Sequence, residues 1–467
     1  MLDENLLRKY DALAPRYTSY PTAPHFHPSF GENQYEQHAE RSNATILPKD
    51  LSIYIHIPFC HSLCYFCGCN KVVTKAGGHK VEDYIEHLMA EIAMRGRLFN
   101  GDRLVTQIHF GGGTPNFLKP HQLAEILEAV ATHFHLDLPP NLDISIEIDP
   151  RTISPSQIEE LFAIGFSRFS IGVQDFSKPV QSAINRQQSE SNTLACIAEA
   201  SRLSKSVNVD LITGLPKQTP ESFEKTLRKV IDAGVTRIAA YSFAYLPERI
   251  KAQRMIDKDS LPDTQIRMRT TQLTRDILLD AGYQHIGMDH YALPEDRLAK
   301  AQLNKTLQRN FQGYTTHKDT DLIGIGVSAI SKFDTAYSQN SSTLSIYNEM
   351  IDNQTLPIVK GIALTEDDRL RAAVIQDIMC HSNVDLSRTV SSIVERNSPL
   401  QLLDYFKNEL KALSEFINDG LVSPTKVGFD ITDEGRYFMR PIAAVFDRYL
   451  DNGNKGNSGV VPFSRVV

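Results

Sequence analysis

Four cysteines fall within ten residues, Cys60, Cys64, Cys67 and Cys69 in the stretch HIPFCHSLCYFCGCN, while Cys196 and Cys380 stand alone. The first three follow a Cys-x3-Cys-x2-Cys spacing, so their thiols can curl around one compact inorganic core. Structural zinc takes four ligands, usually from two separated pairs, and no second pair exists here. An electron-carrying iron–sulfur cluster takes a fourth cysteine for its fourth iron. Three ligands on a four-iron cluster leave one iron open to a small chelating molecule. That reading leads, with zinc and a plain electron-transfer cluster as its competitors. Cys69 could join the same cluster only under strain. It reads either as a non-ligand loop thiol or as a fourth cysteine placed near a substrate.

An open iron is the arrangement that radical S-adenosylmethionine (SAM) chemistry uses. The amino and carboxylate groups of SAM chelate the iron, and one electron from the cluster cleaves a carbon–sulfur bond to give a 5′-deoxyadenosyl radical. GGGTP at 111–115 follows a strand and allows close backbone approach to a ligand, at Gly112, Gly113 and Thr114. It reads as a site for the methionine end of SAM or, alone, as a tight turn. Glu147 in SIEIDP and Asp210 in NVDLITGLP lie on apolar strands, where a carboxylate needs either a partner or a polar pocket. Gln174 in GVQDF and Arg186 in INRQQ add polar groups near strand ends. His290 and His317 read equally as functional or as ordinary surface or core residues.

These residues need a scaffold that gathers strand ends. LSIYIHI alternates, with Leu51, Ile53, Ile55 and Ile57 on one face and Ser52, Tyr54 and His56 on the other. Strand patterns recur at 104–110, 143–148, 168–173, 207–212 and 236–242. Between them, 81–98, 118–134, 154–164, 191–204 and 220–233 carry helical apolar stripes. Alternation of this kind predicts βα units and a parallel sheet, either a partial barrel or an open doubly wound sheet. A helix over 264–281 leads to a strand over 283–291. Beyond residue 360, Thr365 with Asp368 suggests a capped helix, and a second helix spans about 402–418 before Gly420. LVSPTKVGFDIT suggests a hairpin, and the last helix carries Pro441 as a kink. Helices followed by a hairpin suggest a winged-helix-like module with a lid or packing role.

The expected organisation is an arm over 1–50, a barrel over 51–360 and a helical domain over 361–467. The arm reads as extended, yet Tyr17, Tyr20, Phe26 and Phe30 are more aromatic than a solvated tail. A net charge of −7 and a pI near 6.1 argue against a general nucleic-acid or acidic-membrane binder. No signal peptide and no run of about 18 apolar residues is apparent, which predicts a cytoplasmic protein without membrane insertion.

The same segments carry a resemblance. CHSLCYFCGCNK, YIHIPFC, GGGTP, SIEIDP, GVQDF, NVDLITGLPKQTP, MDHYA, RNFQGYTT and GVSAIS resemble the bacterial oxygen-independent coproporphyrinogen III oxidases, in a match running from RYTSYPTA to FSRVV. The resemblance implies an α/β fold: a partial (β/α)6 radical SAM barrel with an N-terminal arm and a mainly helical C-terminal domain. It implies conversion of coproporphyrinogen III to protoporphyrinogen IX, in porphyrin biosynthesis, by oxidative decarboxylation of two propionates to vinyl groups. Its cofactors would be a 4Fe-4S cluster on Cys60, Cys64 and Cys67, and SAM, with a second SAM beside the first. SAM-contacting positions would be Tyr54, Phe66, Gly112, Gly113, Thr114 and Glu147, with Gln174, Arg186, Asp210, Ala244 and Ile330. Cys69, Tyr54 and His56 would be catalytic, and Arg16 and Arg309 would meet substrate carboxylates. The partners implied are a flavodoxin-type electron donor and an unidentified electron acceptor, and the chain would be a monomer. Phe110, where tryptophan is common, and Thr213, where tyrosine is common, depart from the pattern without removing a ligand or charge. A haem chaperone and a radical SAM methyltransferase are rival readings on the same framework.

Overall fold

Six strands expected from alternation form with their helices between them. The computed structural model describes residues 4–11, 13–204, 206–317, 320–387 and 403–452. The strands are β1 (Leu51–Ile57), β2 (Leu104–Gly112), β3 (Asp143–Ile148), β4 (Arg168–Gln174), β5 (Val207–Thr213) and β6 (Arg237–Ser242). The helices are α1 (Glu32–Asn43), α2 (His79–Gly96), α3 (Pro120–His133), α4 (Pro155–Ala163), α5 (Glu190–Leu203) and α6 (Pro220–Asp232). Capping chemistry is legible at two of these helix starts. Ser154 Oγ accepts from Gln157 N and Thr219 Oγ1 accepts from Ser222 N, each followed by a proline whose missing N–H is not needed there.

The strands pair in chain order, β6-β5-β4-β3-β2-β1, all parallel. A doubly wound sheet reverses its strand order part-way, and this one does not. With right-handed crossovers, sequential order puts the helices on one face and curls the sheet, which decides for the partial barrel. The far edge of β1 is taken not by β6 but by β7 (Asp321–Ile325), also parallel. Antiparallel β8 (Ile330–Phe333), β9 (Ala336–Asn340) and β10 (Ile358–Ala363) continue from there. The barrel therefore does not close between β1 and β6. This extension, and α1, were not visible in the alternation pattern.

Contacts divide the chain into two compact units: residues 26–274 with 319–363, and residues 1–25 with 275–318 and 364–467. In the second of these, the strand expected over 283–291 is instead a hairpin of Gln284–Gly287 and His290–Ala292, turning at Met288 with φ 42°. The box at Thr365 and Asp368 caps the helix Glu366–His381 as expected. Pro441 sits in the first turn of Met439–Ala444, where proline is tolerated, so it does not kink a longer helix. The aromatic residues of the arm are buried: Tyr17 OH donates to Asp447 Oδ2 at 3.1 Å, and Tyr20 OH accepts from Arg448 N at 3.2 Å. In the larger unit, Phe26 stacks on Tyr337.

A buried charge network fixes the β1 side of the larger unit. Glu91 and Arg95 on α2 are fully buried, and Glu91 Oε1 accepts from Arg95 Nε at 2.7 Å and Asn340 Nδ2 at 2.8 Å. Its Oε2 accepts from Gly326 N at 2.7 Å and, from helix α7 (Leu344–Asp352), Tyr347 OH at 2.8 Å. Tyr84, two turns earlier on the same face of α2, donates to His56 O at 2.6 Å and accepts from Val327 N at 3.1 Å. Four donors on one carboxylate make its burial tolerable, whereas removing it strands the Arg95 charge. Glu91→Ala is expected to destabilise the protein by about 3–5 kcal/mol, read as a lower urea midpoint. An unchanged midpoint would contradict this account of the network.

Candidate functional site

The cysteine loop leaves β1 and is clamped at its base. Phe59–Cys60 pairs with Val72–Val73, Val72 N donates to Pro58 O at 2.7 Å, and Thr74 N donates to Cys60 O at 3.0 Å. Its outer part is tied to neighbouring strand exits: Tyr65 N donates to Ile184 O at 3.0 Å, Asn185 Nδ2 to Leu63 O at 2.8 Å, and Gln253 Nε2 to Phe66 O at 3.3 Å. The loop is thus held by the βα segments after β4 and β6 as well as by its own ends.

Cys60, Cys64, Cys67 and Cys69 line one cavity of about 360 Å³ at the C-terminal ends of the strands. Its walls include Phe66, Gly112, Gly113, Thr114 and Glu147, together with Gln174, Arg186 and Asp210. Most of the residues singled out in the sequence therefore converge. Tyr54 and His56 stand behind the glycine turn, Ala244 lies on the segment after β6, and Ile330 opens β8. Arg16 and Arg309 belong to the other compact unit, where Arg309 Nε donates to Arg16 O at 3.2 Å and Arg16 pairs with Asp289.

Packing explains the glycines. Gly112 has φ +120°, and a Cβ there would lie 2.6 Å from the His56 ring; one at Gly113 would lie 2.5 Å from Pro58 O. Any side chain would push the β2 exit off β1 and the cysteine loop. The turn is both tight and close to the cavity, so the two readings of GGGTP coincide.

His56 has a defined proton arrangement. Its Nε2 lies 3.1 Å from the Asn70 carbonyl, which can only accept, so Nε2 carries the hydrogen. Nδ1 then accepts from Tyr54 OH at 3.1 Å. Burial lowers the His56 pKa, keeping the ring neutral.

Charge in the cavity is uneven. Arg151 Nη2 approaches Cys64 Sγ at 3.4 Å and Arg186 Nη1 approaches it at 3.6 Å. Asp149 lies between these two guanidiniums; burial opposes its ionisation, but Arg186 and Arg151 hold its pKa down to about 2. A hydrogen bond from Cys69 and the nearby Lys71 bring the Cys67 thiol down to about 6, against burial. Burial pushes Cys60 up to about 11. Glu147 Oε2 accepts from Gly112 N at 3.1 Å and Oε1 lies 3.4 Å from His109 Nε2; despite burial, these keep its pKa below the usual range. Asp210 goes the other way, to about 6, through burial and the Glu147 charge, although Asn208 and Ser170 donate to it.

Sequence reasoning missed Asp149, Arg151 and His109. The first two sat in plain view at the end of SIEIDPRT, and His109 directly precedes FGGGTP. For Asp149 and Arg151 the available signal was charge at a strand exit, and for His109 it was an ionisable side chain on a largely apolar strand.

Comparison with known proteins agrees with this geometry. Residues 54–230 match the family model of the radical SAM superfamily. The chain is 44% identical to the oxygen-independent coproporphyrinogen III oxidase of Pseudomonas aeruginosa, over 100% of this chain and 98% of that one. It is 43% identical to the enzyme of that name from Escherichia coli, again over 100% and 98%. The chain belongs to the oxygen-independent coproporphyrinogen III oxidases. The solved structure of the coproporphyrinogen III oxidase of Escherichia coli, a radical SAM enzyme, superposes with a TM-score of 0.89 over 96% of this chain and 99% of that one.

A 4Fe-4S cluster and SAM are the cofactors that membership in this radical SAM family implies, and the cavity suits both. Cys60, Cys64 and Cys67 line one volume, which suits a cluster seated on three thiols. Arg186 is 6% exposed, and its Nε has no hydrogen-bond partner, an orphaned donor suited to a carboxylate. Glu147 and Asp210, which repel each other, suit a ligand that brings hydroxyl or ammonium donors.

The raised pKa of Asp210 has a consequence for the ligand-free protein. Folding favours its protonated form, so the folded state holds its proton up to about pH 6, whereas the unfolded chain releases it near 3.8. Stability from this group is therefore lost as pH rises between those values. Urea unfolding of Asp210→Asn should show that loss removed, so the variant gains on the parent across this window and keeps the gain above it. A gap that does not change with pH would contradict the assignment.

Proposed function

We propose that this chain catalyses the oxygen-independent oxidative decarboxylation of coproporphyrinogen III to protoporphyrinogen IX, with Cys60, Cys64 and Cys67 as the three cluster ligands. The observation that carries the proposal is the convergence of these thiols with the glycine turn, Arg186 and the carboxylates on one cavity. When bound, the reduced cluster and SAM supply reductive carbon–sulfur cleavage and a carbon radical able to take hydrogen from a propionate side chain.

The chain's own residues bind, orient and shield. Arg186 holds a carboxylate through its open Nε while Asp149 keeps its guanidinium in place. Gly112 and Gly113 admit backbone approach to the methionine portion, with Thr114 beside Cys60 Sγ at 3.3 Å. Glu147, Gln174 and Asp210 accept from or donate to the polar groups of SAM, and Phe66, Ala244 and Ile330 supply apolar contact. Tyr54 and His56 form a fixed donor chain ending on the Asn70 carbonyl, next to Cys69, and these three residues act nearest the reacting substrate. A second SAM beside the first belongs to this proposal through the family resemblance.

Arg16 and Arg309 meet the carboxylates of the substrate. In support, Arg309 is 6% exposed, lies over the Tyr314 ring at 4.9 Å, and leaves its buried Nη1 without a hydrogen-bond partner. A guanidinium so placed is suited to a charge-assisted bond with an incoming carboxylate. The electron donor is a flavodoxin-type reductant, and the acceptor is a separate oxidant. We further propose a cytoplasmic monomer that binds no nucleic acid; among the described residues no helix is long and apolar enough to cross a membrane.

The test is turnover. The anaerobically reconstituted protein, given SAM, a reductant, a cell extract as acceptor source and coproporphyrinogen III, should yield protoporphyrin after oxidation, together with 5′-deoxyadenosine, by HPLC. Deoxyadenosine without protoporphyrin would contradict the substrate assignment. A stable stoichiometric haemin complex without turnover would favour the chaperone reading instead.

A further inference from the structure

Arg151 has no part in the function proposed above, yet four hydrogen bonds to Asp149 and Ser62 fix its guanidinium. Its Nε and Nη2 form a fork on Asp149, at 2.6–3.1 Å, and Nη1 donates to Ser62 Oγ at 3.1 Å. That leaves Nη2 at 3.4 Å from Cys64 Sγ. Arg186 shares the same carboxylate, through Nη1 at 3.1 Å and Nη2 at 3.3 Å, and also points Nη1 at Cys64. Two guanidiniums and one carboxylate give a net positive charge beside a single sulfur. Cys64 and Asp149 are 7% exposed, so water screens this group poorly.

The two arginines differ in what they have left to offer. Arg186 keeps a free Nε for a ligand of the cavity. Arg151 bonds to Asp149, to Ser62 on the cysteine loop and to the sulfur. Hydrogen bonds to ligating sulfurs and nearby positive charge favour the more negative, reduced state of a cluster and so raise its potential. Arginine cannot lose its proton in this range, so its influence does not fade with pH.

We propose that Arg151, held by Asp149, sets the reduction potential of the cluster through its N–H bond to the Cys64 sulfur. This rests on the reading of Cys64 as a cluster ligand. In the step concerned, one electron passes from an external low-potential donor, a reduced flavin or iron–sulfur protein, to the oxidised cluster. No bond at Arg151 breaks and no proton moves; the guanidinium makes the reduced state easier to reach.

The experiment is a mediated redox titration of the reconstituted full-length protein, with dithionite as reductant and the reduced cluster counted by EPR. Arg151→Gln should bind iron and sulfide at the parent's stoichiometry. At the potential where half the parent clusters are reduced, the reduced-to-oxidised ratio in the variant should fall about tenfold, equivalent to about 59 mV more negative. An unchanged potential overturns the proposal. So does an equal shift in Ser62→Ala, which loosens the loop but leaves the guanidinium at the sulfur. If Arg151→Gln fails to hold a cluster, Arg151→Lys decides: it keeps the charge but not the fork, and should shift in the same direction by less, whereas no shift overturns the proposal. A full cluster retained by Cys64→Ser would instead sink the ligand reading, which separates the two failures.

Discussion

Three thiols have to face one void without either collapsing onto each other or turning away into solvent. A loop of eight residues from Cys60 to Cys67 has too few internal contacts to hold that arrangement, so the constraint is met from outside. The strand pairing of Phe59–Cys60 with Val72–Val73 closes the base, and bonds from Tyr65 N to Ile184 O, Asn185 Nδ2 to Leu63 O and Gln253 Nε2 to Phe66 O hold the outer part. Negative charge gathered at the sulfurs is offset by Arg151, Arg186 and Lys71, and Asp149 keeps both guanidiniums aimed inward.

The rest of the larger unit supports this loop. Behind β1, the Glu91 carboxylate joins α2 to the turn at Gly326 and to Asn340, while Tyr84 reaches the His56 carbonyl. In front, fully buried Asp175 accepts from Gln218 Nε2 at 2.7 Å and Thr226 Oγ1 at 2.8 Å, and Gln218 also donates to Ile212 O. That network binds the exits of β4 and β5 together and accommodates Gln174 at φ +66°. Buried carboxylates thus occur on both sides of the site, each surrounded by donors and each tying separate strand exits to one another.

Much of this was legible because it rests on local rules. Strand patterns located β1 to β6 within a residue or two, and the Cys-x3-Cys-x2-Cys spacing by itself points to an open iron. The choice between barrel and doubly wound sheet was not legible, because it depends on which strands pair, and a strand pattern does not name its neighbour. The hairpin at 284–292 was missed because the positive φ of its two-residue turn falls on Met288, while the neighbouring Gly287 sits in the strand pair opposite His290. Arg151 escaped notice for a different reason. A charged residue just past a strand end resembles ordinary surface until the fold brings Ser62 and Cys64 against it.

The central claim is that Cys60, Cys64 and Cys67 hold a four-iron cluster whose remaining iron is open to SAM. Electron–nuclear double resonance on the reduced, reconstituted protein tests it most directly, with SAM labelled by 17O in the carboxylate and 15N in the amino group. The account predicts hyperfine coupling of both labels to the cluster. Cluster signals free of coupling to either label, with SAM at saturation, would contradict it.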